Sequence, residues 1–166
     1  VSDRALDEDI EPLFPDLQGA DWTGPESYRI QPSARRFELW EWQYAKILGL
    51  REAVRYAMDM GLQQIYERNQ EILSKLTSRL GSITGVTQYD KGSHRSNIIT
   101  FRKEGLSQEE MVKRLSSAGV AFSVAERSSA QFDFRKKDVD WAIRVSPHYF
   151  NTLEEMDEFV SIVEQL

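Results

Sequence analysis

One arginine stands in the middle of an apolar, strand-like stretch near the end of the chain. Arg144 alternates with Ile143 and Val145, so in a strand it lies on the opposite face from them. A guanidinium stays charged and is costly to desolvate without a partner, so Arg144 needs an anion. That anion is either a structural carboxylate or a ligand, because the small residues Ala142 and Ser146 leave room beside it. An arginine fork commonly holds an amino-acid carboxylate. The spacing leaves both alternatives open.

Two further residues are weaker candidates for contact with a ligand. Ser128 lies in a polar stretch beside Arg127 and Ser129, which is either a solvated loop or a loop that offers hydroxyls and an arginine to an anion. His148 directly follows the Arg144 strand and is either structural or a ligand contact. We therefore predict Arg144 as the main substrate-binding residue, with Ser128 and His148 as secondary ones.

Several kinds of site are not indicated by the sequence. The chain has no cysteine, and His94 and His148 stand in unrelated segments, so we predict no metal site. Neither a glycine-rich phosphate loop nor a G-x-S-x-G nucleophile elbow is present. We predict no catalytic residue within these residues, and the cofactor-binding residues stay unknown. The Arg35-Arg36-Phe37-Glu38 run indicates a structural cluster of charges.

The overall charge also limits the function. The 166 residues carry 21 basic and 27 acidic side chains, a formal net charge of -6. This balance argues against a nucleic-acid surface. No stretch reaches the roughly 20 apolar residues that span a bilayer, and the first residues do not resemble a signal peptide. We expect a cytoplasmic protein with neither nucleic-acid nor membrane partners.

The elements that would position Arg144 follow from hydrophobic periodicity and from glycine and proline breaks. Residues 1–38 are predicted to be an irregular but ordered arm, and residues 39–166 a small α+β domain. Within it we predict helices at 39–60, 62–80, 107–119 and 152–163, and strands at 86–89, 96–101, 120–124 and 141–146. Residues 125–139 are predicted to be a loop.

This order predicts an α+β domain with a small, mainly antiparallel sheet and helices packed on one face. The 39–60 helix is apolar nearly all round, which indicates burial on several faces. A subunit interface would explain that burial well, so we expect a homodimer.

Two motifs resemble those of a known family. Ala34-Arg-Arg-Phe-Glu38, followed by Leu48-Gly-Leu50 and Gly61-Leu62, resembles the C-terminal part of class V aminotransferase-like enzymes. The ending Ile143-Arg-Val-Ser-Pro-His-Tyr-Phe-Asn-Thr-Leu-Glu-Glu-Met-Asp157 is similar to the closing pattern of that family. These are fold-type I enzymes that depend on pyridoxal phosphate (PLP), and they include cysteine desulfurases and isopenicillin N epimerase.

The resemblance implies a role for Arg144 and a place for the chain. Arg144 matches the family arginine that binds the substrate α-carboxylate, so an amino acid or amine is the implied substrate. The chain looks like the small C-terminal domain, whose arm leads from a missing large domain that holds most of the cofactor. An active site near a dimer interface is also implied.

The sequence departs from the family pattern in three respects. No lysine stands in a context that resembles the Schiff-base site, so we expect these residues alone to be inactive and not to bind PLP. Trp40-Glu41 replaces the desulfurase Gly-Thr pair, and the persulfide-forming cysteine is absent. We therefore expect a divergent subgroup with another substrate. The alternative is a non-catalytic α+β dimerisation or ligand-sensing module in which Arg144 makes a structural ion pair.

Overall fold

The computed structural model describes residues 2, 4, 6, 10–41 and 43–166. Its contacts divide the chain into two compact units, Val1–Tyr56 and Ala57–Leu166. The predicted boundary between an arm of residues 1–38 and a domain of residues 39–166 stays a prediction.

The first unit contains a β-hairpin that the sequence analysis did not predict. Strand β1 (Ala20–Gly24) pairs antiparallel with β2 (Ser27–Ile30), and Trp22 lies opposite Tyr28. Aromatic residues favour strands, and here they flank the turn on both sides. The close spacing of glycine and proline indicated an irregular segment, whereas Gly24 and Pro25 stand at the turn of a hairpin.

A buried arginine, Arg36, donates hydrogen bonds to two backbone carbonyl groups of the same unit. Arg36 lies in a short 3-10 helix (Ala34–Phe37) and is only 5% exposed. Its Nε donates to the carbonyl oxygen of Gln31 at 2.9 Å, and its Nη1 donates to that of Ile10 at 3.2 Å. At Gly19 an added Cβ would lie 2.6 Å from the Arg36 carbonyl oxygen, so the backbone approaches too closely for a side chain. These contacts support a structural role for Arg36.

The first long helix differs from its prediction. Helix α1 (Tyr44–Met60) begins five residues later than the predicted start at residue 39. We predicted burial on several faces, yet no residue of α1 is buried by the part of the chain that the structure describes. Large apolar side chains of α1 are exposed, among them Leu48, Leu50 and Met58.

The second unit is built on a four-stranded sheet in the order β3-β4-β6-β5, with every pair antiparallel. Its strands are β3 (Val86–Gln88), β4 (Ile99–Lys103), β5 (Ser123–Glu126) and β6 (Trp141–Val145). Its helices are α2 (Leu62–Ser82), α3 (Gln108–Ser117), α4 (Gln131–Lys137) and α5 (Leu153–Glu164). The α+β class with a mainly antiparallel sheet is therefore confirmed.

The main core lies between the sheet and helices α2, α3 and α5. Its fully buried members include Leu76, Phe101, Leu115, Ile143 and Val163. A second, smaller core lies where Phe134 of α4 packs with Val139 and Ala142. Because Ala142 and Ile143 are neighbours on β6, the two cores cover opposite faces of the sheet.

Capping boxes begin two helices of the second unit. Ser107 exchanges hydrogen bonds with Glu110 at the start of α3, and Thr152 does so with Glu155 at the start of α5. The pKa of the Glu155 carboxyl is lowered because the backbone N–H of Thr152 and then the side chain of Asn151 donate hydrogen bonds to it. The pKa of Glu110 is lowered by the backbone N–H and then the hydroxyl of Ser107.

The region from residue 120 to residue 139 was predicted incorrectly. The strand runs from Ser123 to Glu126 and not over residues 120–124. The predicted loop of residues 125–139 contains a 3-10 helix (Arg127–Ser129) and helix α4. The sequence of α4 shows no clear hydrophobic periodicity, because Phe134 is its only buried residue.

Candidate functional site

Strand β6 places Arg144 on the face of the sheet that helices α2, α3 and α5 leave uncovered. Ile143 and Val145 are buried in the main core, so Arg144 between them points to the other face and is exposed. Ser146, which directly follows the end of β6, is also exposed. The alternation seen in the sequence therefore agrees with the structure.

The strands on either side give Arg144 two small neighbours. Arg144 lies opposite Thr100 on β4 and opposite Ser123 on β5. The carbonyl oxygen of Thr100 accepts a hydrogen bond from the Tyr89 N–H at 2.9 Å, so the polar backbone groups of Thr100 face away from β6. Thr100 and Arg144 are therefore a non-hydrogen-bonded pair, the kind in which side chains lie closer together.

The guanidinium of Arg144 makes no hydrogen bond and no ion pair with the described residues of this chain. Other arginines of the same unit are paired: Arg68 with Glu71, Arg79 with Asp157 and Arg127 with Asp140. Arg144 thus combines an open position with a charge that these residues leave uncompensated.

The carboxylate of Asp90 is bound to Thr100, the residue opposite Arg144. Oδ2 of Asp90 accepts the Thr100 N–H at 2.5 Å, and Oδ1 accepts the Thr100 hydroxyl at 3.0 Å. Sequence reasoning missed both residues, because Asp90 read as part of a turn and Thr100 as an ordinary strand residue. The sequence offered one signal for this contact, an aspartate just after the end of β3. At such a place the carboxylate can accept a backbone N–H in the way that a carbonyl oxygen would.

Ser128 and Arg127 are engaged with other groups of the loop. The Ser128 hydroxyl donates to Glu126 Oε2 at 3.3 Å. Arg127 Nε lies 3.1 Å from the carbonyl oxygen of Val139 and 3.1 Å from Asp140 Oδ1. A carboxylate beside Ser128 makes its surroundings less favourable for an anion. The assignment of Ser128 to a binding site stays a prediction.

His148 is held in an aromatic turn after β6. Its ring stacks on Phe150 at 5.5 Å between centroids and meets Tyr149 edge-on at 4.7 Å. Its backbone N–H donates to Asn151 Oδ1 at 2.8 Å. The ring Nδ1 is buried and has no hydrogen-bond partner among the described residues. These contacts position His148 as a packing residue, and its predicted contact with substrate remains a prediction.

A surface groove of the second unit does not coincide with the predicted site. It is lined by residues from the end of α3, the turn after β6 and helix α5, including Gly119, Pro147, Glu155 and Glu158. Arg144 is not among its lining residues, and its two carboxylates oppose the binding of an anion. The chemistry of the side chains therefore favours the position of Arg144 over this groove as the anion site.

The strands around Arg144 offer no free lysine for PLP. The cofactor requires a lysine for its aldehyde, and Lys103 is the only lysine on strands β3 to β6. Its ammonium donates to the carbonyl oxygens of Val163 at 2.9 Å and Glu164 at 2.8 Å, at the end of α5. The sheet residues therefore fit the carboxylate of a ligand but do not supply a lysine for the cofactor.

The described residues show neither a membrane span nor a metal cluster. No helix there is long and apolar enough to cross a membrane. No group of three or more histidine, cysteine or acidic side chains lies together there in a way that could hold a metal ion.

Comparison with known proteins decides the family. The model of the family described as aminotransferase class-V matches residues 3–159, which is most of the chain. The chain belongs to the class-V aminotransferase family. The resemblance of the two sequence motifs to this family is thus confirmed.

Named relatives and solved structures agree with this family. The chain is 30% identical over 136 residues to a probable cysteine desulfurase of Mycobacterium leprae (strain TN), covering 82% of this chain and 22% of that protein. The apo structure of a cysteine desulfurase from Thermococcus onnurineus NA1 matches with a TM-score of 0.78 and 20% identity, over 99% of this chain and 41% of that one.

A second matching structure contains PLP as its cofactor. A C-DES mutant with glycine covalently linked to its PLP cofactor matches with a TM-score of 0.70 and 16% identity, over 100% of this chain and 40% of that chain. At this identity the likeness shows the fold alone. The class-V chain described here spans only 22% of the length of the Mycobacterium leprae relative, so the activity of a whole protein is a matter for proposal.

Proposed function

We propose that Arg144 binds the α-carboxylate of an amino-acid substrate in a PLP-dependent class-V enzyme. The single observation that carries this proposal is the exposed Arg144 guanidinium, which has no partner among the described residues and stands between two hydroxyl-bearing neighbours. A guanidinium in such a position can receive a carboxylate as a bidentate fork. Membership of the class-V family supports the same substrate class.

In this proposal the rest of the site comes from outside these residues. The cofactor, when bound, would act as an electron sink for the substrate. A large domain would supply its lysine, residues 1–38 would be the arm that leads from that domain, and residues 39–166 would be the small domain. We also propose a homodimer and a cytoplasmic location, in keeping with the exposed apolar surface of α1 and the absence of cysteine.

The proposed reaction differs from that of the named desulfurase relatives in one respect. These residues contain no cysteine that could form a persulfide. We therefore propose an amino acid or amine substrate whose conversion uses no thiol of this part of the chain. Transamination, elimination and racemisation all fit an arginine that holds a carboxylate.

The experiment that tests the proposal uses the complete protein that carries these residues. It is purified, its visible absorbance is recorded for bound PLP, and amino acids are added one at a time. The proposal predicts a cofactor band and a change of that band with one or a few amino acids. A complete protein that binds no PLP, or whose band responds to no amino acid or amine, would contradict it.

A second candidate function draws on the exposed apolar surface. Large apolar side chains of α1 and of the hairpin, including Trp22 and Tyr28, are exposed in the described chain. In a non-catalytic dimerisation or ligand-sensing module, this surface would be the functional one. Such a module would lack PLP absorbance while still forming a dimer, so the same preparation distinguishes the two functions.

A further inference from the structure

We propose that Asp90 is a positioning residue for the anion site at Arg144, an inference that rests on the function proposed above. Asp90 would not touch the substrate. It would act through Thr100, the residue that lies directly opposite Arg144 across β4 and β6. Asp90 follows β3 at the point where the backbone leaves the sheet.

The side chain of Asp90 accepts a hydrogen bond that the backbone after β3 would accept in a regular antiparallel ladder. The Tyr89 N–H donates to the Thr100 carbonyl oxygen at 2.9 Å. In a regular ladder the Thr100 N–H would donate back to the backbone of the same partner. Instead it donates to Asp90 Oδ2 at 2.5 Å, while the Thr100 hydroxyl donates to Oδ1 at 3.0 Å. One carboxylate thus fixes both the backbone and the hydroxyl of Thr100.

This arrangement also fixes the side chain beside Arg144. Thr100 is β-branched and only 7% exposed, so a hydrogen bond to its hydroxyl holds its χ1 angle. In a non-hydrogen-bonded pair the two Cβ atoms lie about 5 Å apart. The stem of Arg144 therefore runs along a neighbour that cannot rotate, which limits the directions that the guanidinium can take.

Asp90 makes no ion pair with Arg144. Asp90 is half-buried, and no lysine or arginine among the described residues lies within ion-pair distance of it. Both of its oxygens are occupied by Thr100. The guanidinium of Arg144 thus stays available for a ligand.

The test compares two ligands in the complete protein with bound cofactor. One is the amino acid that changes the cofactor absorbance most, and the other is the amine that lacks its carboxylate. Asp90→Ala removes both bonds to Thr100, and we expect about tenfold weaker binding of the amino acid, because Thr100 no longer limits the directions of the Arg144 side chain. Binding of the amine should change less than about twofold.

Asp90→Asn is the matched control, because its amide oxygen can still accept the Thr100 N–H. We expect this variant to keep amino-acid binding within about threefold of the natural protein. Thr100→Val removes only the hydroxyl bond and is the second variant if Asp90→Ala does not fold. It should weaken amino-acid binding by about threefold to fivefold without affecting the amine.

Arg144→Ala in the same series separates this inference from the proposed function. If Arg144→Ala abolishes the preference for the amino acid while Asp90→Ala and Thr100→Val leave it intact, the role of Asp90 is wrong and that of Arg144 stands. Equal weakening of both ligands by Asp90→Ala also overturns the role, since it indicates general damage. If Arg144→Ala leaves the preference unchanged, both proposals fail.

Discussion

At the residue scale, the face on which Arg144 lies could be predicted from the sequence, whereas the contact of Asp90 could not. Apolar neighbours on both sides of Arg144 predicted its face of the sheet, because alternation on a strand is a local property. The partner of Asp90 lies ten residues away on another strand. That contact depends on the register between β3 and β4, which the sequence pattern alone did not specify.

Arg36 gives a prediction about stability at this scale. Arg36→Met would leave the carbonyl oxygens of Ile10 and Gln31 without these charged donors, so we expect a loss of about 2 kcal/mol in the free energy of unfolding. Arg35→Met is the matched control, since Arg35 is exposed and should cost less than about 1 kcal/mol. Urea unfolding measures both. Equal losses would contradict a special role for Arg36.

At the element scale, the helices that begin with capping boxes were the most predictable part of the fold. Ser107 and Thr152 each stand three residues before a glutamate, and the structure shows both boxes formed. Helix α4 was missed because it is short and buries a single residue. The hairpin of β1 and β2 was missed because glycine and proline mark turns of many kinds.

The cap of α5 can be tested by removing its hydroxyl. Thr152→Ala loses the bond to the Glu155 N–H, and we expect about 1 kcal/mol lower stability at pH 7. Thr152→Ser keeps the hydroxyl and should lie within about 0.5 kcal/mol of the natural protein. If thermal or urea unfolding gives the two variants the same stability, the cap does not contribute as proposed.

The same cap predicts a dependence on pH. The folded pKa of Glu155 is lowered by the N–H of Thr152 and by Asn151, so its stabilisation is present above the unfolded pKa of about 4.3 and is lost as pH falls through the folded value. Glu155→Gln should therefore flatten the fall in stability between about pH 5 and pH 3. Urea midpoints across this range measure it. Glu154→Gln, in the same turn, is the control, and an equal flattening there would contradict the assignment to Glu155.

At the scale of the whole molecule, the exposed apolar side chains of α1 and the unpaired guanidinium of Arg144 support the same conclusion. Each lacks a partner among the described residues. Composition predicted that the 39–60 helix would be buried, but a sequence does not state which surface buries it. The described chain covers none of α1. Likewise, the pattern around Arg144 predicted a need for an anion, and the described residues provide none.

A labelling experiment tests whether these 166 residues hold PLP by themselves. No lysine on the sheet is free to serve the cofactor, since Lys103 is bound at the end of α5. We expect equimolar PLP, fixed by borohydride reduction, to spread over several exposed lysines of the 166-residue chain. Peptide mass mapping gives the distribution. Stoichiometric labelling of one lysine would show a cofactor site that we do not propose.

The central claim is that Arg144 holds the carboxylate of the substrate. Its most direct test is the ratio of two dissociation constants in the complete protein, that of an amine divided by that of the amino acid with the same side chain. We predict that Arg144→Ala lowers this ratio by about tenfold or more, because a charge-assisted fork to the carboxylate is lost. Arg135→Ala, at an exposed position on α4, should leave it unchanged. A ratio that Arg144→Ala does not alter would contradict the account.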